Sequence, residues 1–344
     1  MFILNDIDNT QSLEETIVKI LDEFRNEWVV DNHFLRLSVS IGVAVYPDDS
    51  KDIDELMKFA DMAMYKAKSE GRDQFSFFTS ILNHKIHEEV DIANDMHRAL
   101  DENEFVLYYQ PKIEIKSGKI IGAEALIRWN HHNKGLISPI NFIYIAENTG
   151  FILKLGTWII NETAQMISRL NHLGYNDIHV SCNVSTRQFQ NLHLYSDIKN
   201  AILVNNIDPA LFAIEITESV MMEYLDITLE TVKKIKSLGA HICMDDFGTG
   251  YSSLSYLRQF PIDSLKIDKS FVDDIVQGGD NDHILLNTII AMGQTLNLHV
   301  IAEGVEEAYQ MEYLREKGCS YYQGYYFSKP VPEDDFFALV KKNR

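Results

Sequence analysis

From about residue 105 onward, short runs rich in β-branched and aromatic residues alternate with longer stretches of helical periodicity. This is the pattern of βα units laid around a parallel sheet. The runs are 106–114, 120–129, 178–185, 212–219, 241–248, 264–271, 299–306 and 321–328, with amphipathic segments such as Thr228 to Leu238 and Asn287 to Leu296 between them. Eight runs in this alternation predict an α/β protein with a (β/α)8 barrel of TIM type, in preference to an open doubly wound sheet. One joint is atypical. Only a few residues centred on Ser117 and Gly118 separate the first two runs, too few for a parallel crossover, so the first strand is expected to run antiparallel. Ahead of the barrel, residues 1–78 read as a separate α+β block. Residues 79–102 read as a polar, helix-prone connector without Pro or Gly, and 103–344 as the barrel.

Composition narrows the chemistry. With 344 residues and 46% hydrophobic content the chain can bury a sizeable core. A formal net charge of −20 opposes general affinity for nucleic acid or anionic membrane, both of which need clustered Lys and Arg. Cys182, Cys243 and Cys319 are odd in number and far apart, which suggests buried thiols rather than a disulfide framework or a zinc knuckle. No apolar stretch reaches the length of a bilayer span, and the start lacks a secretory signal. A cytoplasmic location is expected for this chain, with membrane tethering of a longer protein left open.

In such barrels function collects where strands run into the following loops, and here those ends are acidic. The second run carries Glu124, the third ends at Asn183, the fourth holds Glu215 and Glu218, and the fifth ends in the adjacent pair Asp245 and Asp246. The sixth has Lys266 and Asp268, the seventh Glu303 and the eighth Gln323. Any one of these reads equally well as a solvated rim residue or, for Glu215 and Glu218, a helix cap; six matching strand ends together point to a site. So many carboxylates on one rim would repel unless they bound cations. Oxygen ligands without histidine suit Mg²⁺ or Mn²⁺ rather than zinc. If the strand ends at Asp245, that carboxylate can bridge two ions while Asp246 turns toward the second, with Gly248 and Gly250 permitting the sharp turn. A two-metal cluster activates water for in-line phosphoryl displacement. Arg128, four residues after Glu124, shares its strand face and can hold a phosphate. Trp129 and the tyrosines of YYQGYYF are expected in the core or barrel wall, and the histidines, including His131 and His132, at the surface.

The ordered motifs EALIRW, CNVS, EITES, DDFGTGYSSL, LKIDKSF, AEGVE and QGYYFSKP, from about Ala99 to Pro332, resemble the EAL family of cyclic di-GMP phosphodiesterases. The resemblance implies a barrel with its first strand reversed. It also implies hydrolysis of cyclic di-GMP to linear pGpG with two Mg²⁺ or Mn²⁺ ions, lowering a second messenger of bacterial signalling and biofilm control. It implies first-metal ligands Glu124, Asn183, Glu215 and Asp245, and second-metal ligands Asp245, Asp246 and Glu303. Lys266 matches the lysine that positions the water. Gln110, Arg128, Asp268 and Gln323 fall at substrate-contacting positions, and Glu218 matches the residue that steadies the DDFGTG loop. A homodimer through the barrel, near that loop and the helix after it, is also implied. The alternative is a receptor that binds cyclic di-GMP without turnover; the full ligand set and Lys266 argue against it. Departures such as His132 and Tyr144, where prolines are common, lie outside the metal positions.

LRLSVSIGVAVYPDD and ADMAMYKAKSEGRDQFSFF in the N-terminal block resemble the second half of a GGDEF diguanylate cyclase domain, with Met1 to Leu4 expected as its next strand. The GGDEF turn itself is absent, and the GGD at Gly278 to Asp280 lies in the barrel region. No cyclase activity is expected, Lys66 and Arg72 are expected at the solvated surface, and uncovered apolar surface is expected on this half domain.

Overall fold

The computed structural model describes all residues except 1, 6–9, 31–32, 36, 70, 224, 249–256, 258 and 276–282. The chain forms two compact units, Met1–Asn94 and Asp95–Arg344. The division falls inside the helix Ser80–Asp101, within the stretch expected as a connector.

In the N-terminal unit, strands Ile41–Val43 and Phe75–Phe77 pair in parallel, and the helix Ile53–Ser69 makes the crossover between them. The helix lies so close to this sheet that a Cβ on Gly42 would sit 1.9 Å from the Ala60 carbonyl oxygen. Leu13, Ile17 and Leu21 of the helix Thr10–Arg25 bury one face against Val43, the spacing of an amphipathic helix. The expected strand at Met1 to Leu4 is not seen. Met1 lies outside the described residues, and residues 2–5 form neither strand nor helix, with Phe2 and Ile3 77% and 68% exposed. Phe34 is also exposed, as are Arg72 and, in part, Lys66.

The second unit contains the barrel. Its strands are β1 (Phe105–Glu114), β2 (Ile120–His131), β3 (His179–Asn183), β4 (Phe212–Thr217), β5 (His241–Phe247), β6 (Ser264–Ile267), β7 (His299–Ala302) and β8 (Tyr321–Tyr322). They pair in sequence order from β2 to β8, and β1 closes the sheet between β8 and β2. All adjacent pairs from β2 to β8 are parallel, whereas β1 is antiparallel to both neighbours. The reversed first strand follows from its short hairpin. Gly118 turns at φ 70° and donates its N–H to the Glu114 carbonyl, leaving no chain for a crossover. The amphipathic segments lie in the helices Leu225–Ser237 and Ile284–Thr295.

Ile214, Ile216, Ile242, Leu265 and Val300 are fully or almost fully buried. At the end of the sheet, Trp129 is fully buried as expected, with Phe105 and Phe142 around it, and donates its indole N–H to Glu104 at 2.9 Å. His131 departs from its expected surface position. It is 3% exposed, its Nε2 lies 3.1 Å from Asp95, and its Nδ1 accepts from the Asn133 backbone N–H. Only a ring with two polar edges satisfied by neighbours is tolerated there. The tyrosines also divide: Tyr322 is buried in β8, whereas Tyr325 and Tyr326, beyond the strand, are 55% and 42% exposed.

The later strands are shorter than their apolar runs. β6 stops at Ile267 and β8 at Tyr322 because the following residues turn into loops and a short helix. Asn183 is the last residue of β3, and Glu303 and Gln323 stand immediately after β7 and β8. These three residues stand at the carboxyl ends of parallel strands, whereas Glu124, expected at a strand end, lies inside β2, near the end of the stretch that pairs with β3.

Candidate active site at the carboxyl ends of the strands

Alternation across the strands decides which side chains meet. Gln110 pairs with Glu124, Glu124 with Ser181, Asn183 with Glu215, and Glu215 with Cys243. Residues two apart from these share their face, which places Lys112, Ser181 and Asp245 on the same inner surface. Asp245 and Asp246 would face oppositely in a regular strand. The register of β5 on β6 slips between Met244 and Phe247, and Asp246 takes a left-handed φ of 53°. This irregularity turns both carboxylates to one place, and the Asp246 N–H donates to Asp245 Oδ1 at 2.9 Å.

Two groups of carboxylates converge there, Glu124 with Glu215 and Asp245, and Asp245 with Asp246 and Glu303. Within each group the oxygens lie within 4.8 Å of one another. Asp245 belongs to both. Asn183, exposed at the end of β3, donates its amide to Glu124 Oε1 at 2.7 Å, which leaves its carbonyl oxygen available to the same centre.

Lys266 stands at the hub and is 1% exposed. Its Nζ lies 2.5 Å from Glu215 and Glu303, 3.1 Å from Asp245 and 3.2 Å from Glu124. Four carboxylates share one ammonium, so the charges do not balance locally. Burial pushes Glu303 up to about 8, with Lys266 opposing and Asp245 and Glu124 adding to the rise. Burial likewise raises Glu124, Asp245 and Asp246. Glu215 goes the other way. Burial alone would raise it, but the ammoniums of Lys112 and Lys266 hold it well below the usual carboxylate range. An oxygen-only donor set with five carboxylates against two ammoniums fits divalent cations by its chemistry.

Gln323 bridges the site to β1. Its amide donates to Glu124 Oε2 at 2.6 Å and to Gln110 Oε1 at 2.9 Å, while its own carbonyl oxygen is buried without a hydrogen-bond partner. Arg128 is half-buried at the rim, its guanidinium carbon 5.6 Å from the centre of the Tyr108 ring. Glu218 accepts the Gly248 N–H at 3.2 Å, at the start of the expected loop. Gly248 itself turns at φ 98°. Gly250 and the remainder of that loop, together with the segment expected to mediate dimerisation, lie outside the described residues, as does the GGD at 278–280. Asp268 stands immediately after β6. It caps the helix Lys269–Asp273, its Oδ1 accepting from the Ser270 N–H at 3.0 Å and from the Ser270 hydroxyl.

Sequence reasoning missed Lys112 and Ser181. Lys112 Nζ lies 2.5 Å from Glu215 Oε1 and 2.7 Å from Ser181 Oγ, deep beneath the acidic cluster. The signal was present, since Lys112 follows Gln110 by two residues inside an apolar strand and so must face inward with it.

Known proteins share this arrangement of sequence. Residues 93–330 match the model of the EAL domain, and residues 1–74 that of the diguanylate cyclase GGDEF domain. The bifunctional diguanylate cyclase/cyclic di-GMP phosphodiesterase MucR of Pseudomonas aeruginosa is 38% identical over 329 residues, covering 96% of this chain and 47% of that protein. The signaling protein YkoW of Bacillus subtilis is 42% identical over 342 residues, 99% of this chain and 42% of that protein. The chain thus spans less than half the length of these relatives. Among solved structures, that of the PaMucR phosphodiesterase in complex with c-di-GMP superposes with a TM-score of 0.69 at 37% identity, covering 72% of this chain and 99% of that one. An EAL domain protein from Listeria monocytogenes gives 0.63 at 33%, covering 73% and 98%. Together with the reversed barrel strand and the acidic strand ends, these matches mean that the chain belongs to the EAL domain family, with a partial GGDEF domain ahead of its barrel.

Proposed function

We propose that the chain hydrolyses cyclic di-GMP to linear pGpG at the carboxyl ends of the barrel strands. The observation that carries this reading is the pair of carboxylate triads joined at Asp245 around one buried lysine. Relatives named as cyclic di-GMP phosphodiesterases, among them NbdA of Pseudomonas aeruginosa and PdeR of Escherichia coli at 34% and 36% identity, support the substrate.

Glu124, Asn183, Glu215 and Asp245 would hold one Mg²⁺ or Mn²⁺, and Asp245, Asp246 and Glu303 a second. Such ions would supply a water of lowered pKa and offset the charge on the phosphate oxygens. In the reaction the water oxygen attaches to phosphorus, the bond from phosphorus to the 3′ oxygen breaks, and that oxygen takes a proton. Lys266 Nζ is the buried donor that orients an oxygen among the carboxylates. The Arg128 guanidinium offers a planar donor fork to a phosphate. Gln110 and Gln323, linked to each other and to Glu124, orient the ring of the substrate at the β1 side. Glu218 holds the loop after Asp246 through the Gly248 N–H. Asp268, expected at a substrate-contacting position, acts here chiefly as a helix cap. A homodimer and a cytoplasmic location belong to this same proposal. The described residues contain no helix long and apolar enough to cross a membrane.

The test is incubation of the purified chain with cyclic di-GMP and Mg²⁺ or Mn²⁺ beside a Glu124→Ala variant, with nucleotides separated by chromatography. The expected result is pGpG from the parent protein alone. Tight binding without product in both would replace this reading with that of a receptor.

A further inference from the structure

Glu215 is the most completely enclosed carboxylate of the cluster, and its two oxygens are used differently. Oε1 accepts from Lys112 Nζ at 2.5 Å and from Ser181 Oγ at 2.6 Å; among the described residues, Oε2 accepts from Lys266 Nζ alone, at 2.5 Å. A carboxylate oxygen has about two lone-pair sites. Oε1 is therefore filled, while Oε2, which shares Lys266 Nζ with Glu124 and Asp245, keeps one site. The donors are fixed in turn: Lys112 Nζ also contacts Ser181 Oγ at 2.7 Å, and all three residues are buried on β1, β3 and β4. Donors from two strands of the barrel wall, β1 and β3, thus clamp one oxygen of a candidate ligand on β4.

We infer that Lys112 and Ser181 are positioning residues that confine Glu215 to one-oxygen coordination and so bias the site toward small octahedral ions over Ca²⁺. This rests on the metal-binding reading proposed above. The physical reason is the coordination number. Mg²⁺ demands six ligands near ideal octahedral geometry, which single carboxylate oxygens supply. Ca²⁺ takes six to eight looser ligands and gains from carboxylates that offer both oxygens. With Oε1 already filled by an ammonium and a hydroxyl, Glu215 cannot add the second oxygen. Neither Lys112 nor Ser181 has to touch an ion for this to hold.

The test uses the full chain and the metals alone, without nucleotide. Mg²⁺ and Ca²⁺ affinities are measured by calorimetry for the parent protein, Lys112→Met and Ser181→Ala, with folding checked by circular dichroism. Ser181→Ala removes one donor without changing charge, so it carries the test if Lys112→Met does not fold. A purely structural or electrostatic role would move both ions together; the clamp predicts a change in their ratio. The expected result is a shift of the Ca²⁺ to Mg²⁺ affinity ratio toward Ca²⁺, by about tenfold in Lys112→Met and by about threefold in Ser181→Ala, through release of one coordinating oxygen. An unchanged ratio in a folded variant overturns the inference while leaving the proposed hydrolysis intact. Failure of the parent protein to bind either ion overturns it together with the metal-dependent reading. Metal binding without cyclic di-GMP hydrolysis would sink only the proposed activity.

Discussion

At the scale of single residues, the site is governed by a shortage of positive charge. Lys266 is shared among four carboxylates, and even a contact of 2.5 Å does not offset the burial of Glu303. Glu303 is pushed up to about 8 by burial, Lys266 opposing. The sign of its effect on stability follows. A carboxyl whose folded pKa lies above its unfolded value, about 4.3, binds more protons in the fold between those two values, so stability falls as pH rises through that window. Glu124 and Asp245, also raised, act in the same sense. Glu215, held low, contributes a constant term above its unfolded pKa. Without added metal, the melting temperature should therefore drop by several degrees between pH 5 and pH 8, and Glu303→Gln should flatten the decline. Saturating Mg²⁺ should abolish it, because ligands that must lose protons bind the ion better at higher pH. Thermal melts across that range, with and without Mg²⁺, check all three. A metal-free protein that gains stability toward pH 8 would contradict this account.

At the scale of elements, the strand ends were the least legible part of the barrel. The apolar runs extend through SLKIDKSF and YYQGYYFS, but the strands stop at Ile267 and Tyr322, because local capping outweighs the apolar pattern. Asp268 illustrates this. Its position in LKID suggested a substrate contact, whereas its carboxylate accepts from the first turn of the helix Lys269–Asp273. Asp268→Ala should cost about 1 kcal/mol of stability, the usual worth of such a cap, with the Michaelis constant for cyclic di-GMP nearly unchanged. Denaturant melts and steady-state kinetics separate the roles. A large rise in the Michaelis constant at unchanged stability would restore the substrate contact. Gly324 shows the opposite case, a position where close approach forbids a side chain. A Cβ there would meet the Val305 carbonyl oxygen at 2.1 Å, so the turn after β8 requires glycine to bring Gln323 back over the site.

At the scale of the molecule, the chain consists of two cores of unequal quality. The barrel unit buries many apolar side chains between Phe105 and Val340, while the N-terminal unit rests on two small clusters, one around Leu13, Ile17 and Leu21 and one around Met62, and leaves Phe2, Ile3 and Phe34 exposed. Small cores bury a smaller share of their surface and are correspondingly marginal. Scanning calorimetry should therefore resolve two transitions, the lower belonging to Met1–Asn94 and the higher to the barrel, and only the higher should rise with Mg²⁺. A single transition that moves as a whole with Mg²⁺ would mean that the two units unfold together.

The sequence by itself determined the alternation of strands and helices, the reversed first strand and the acidic ends. Each depends on local chemistry: periodicity, a hairpin too short for a crossover, and carboxylates at fixed positions after apolar runs. It did not place the end of β5: the strand expected to stop at Asp245 runs on to Phe247, and a register slip with a left-handed Asp246, not a strand end, brings the two carboxylates together. Only the tertiary structure decided that Lys112 and Ser181 lie beneath Glu215, that His131 is buried against Asp95, and that Tyr325 and Tyr326 leave the wall. These depend on which strands become neighbours when the sheet closes. Residues 69 and 103 positions away from Lys112 in the chain meet it only because β1, β3 and β4 point into one barrel, and no local pattern carries that information.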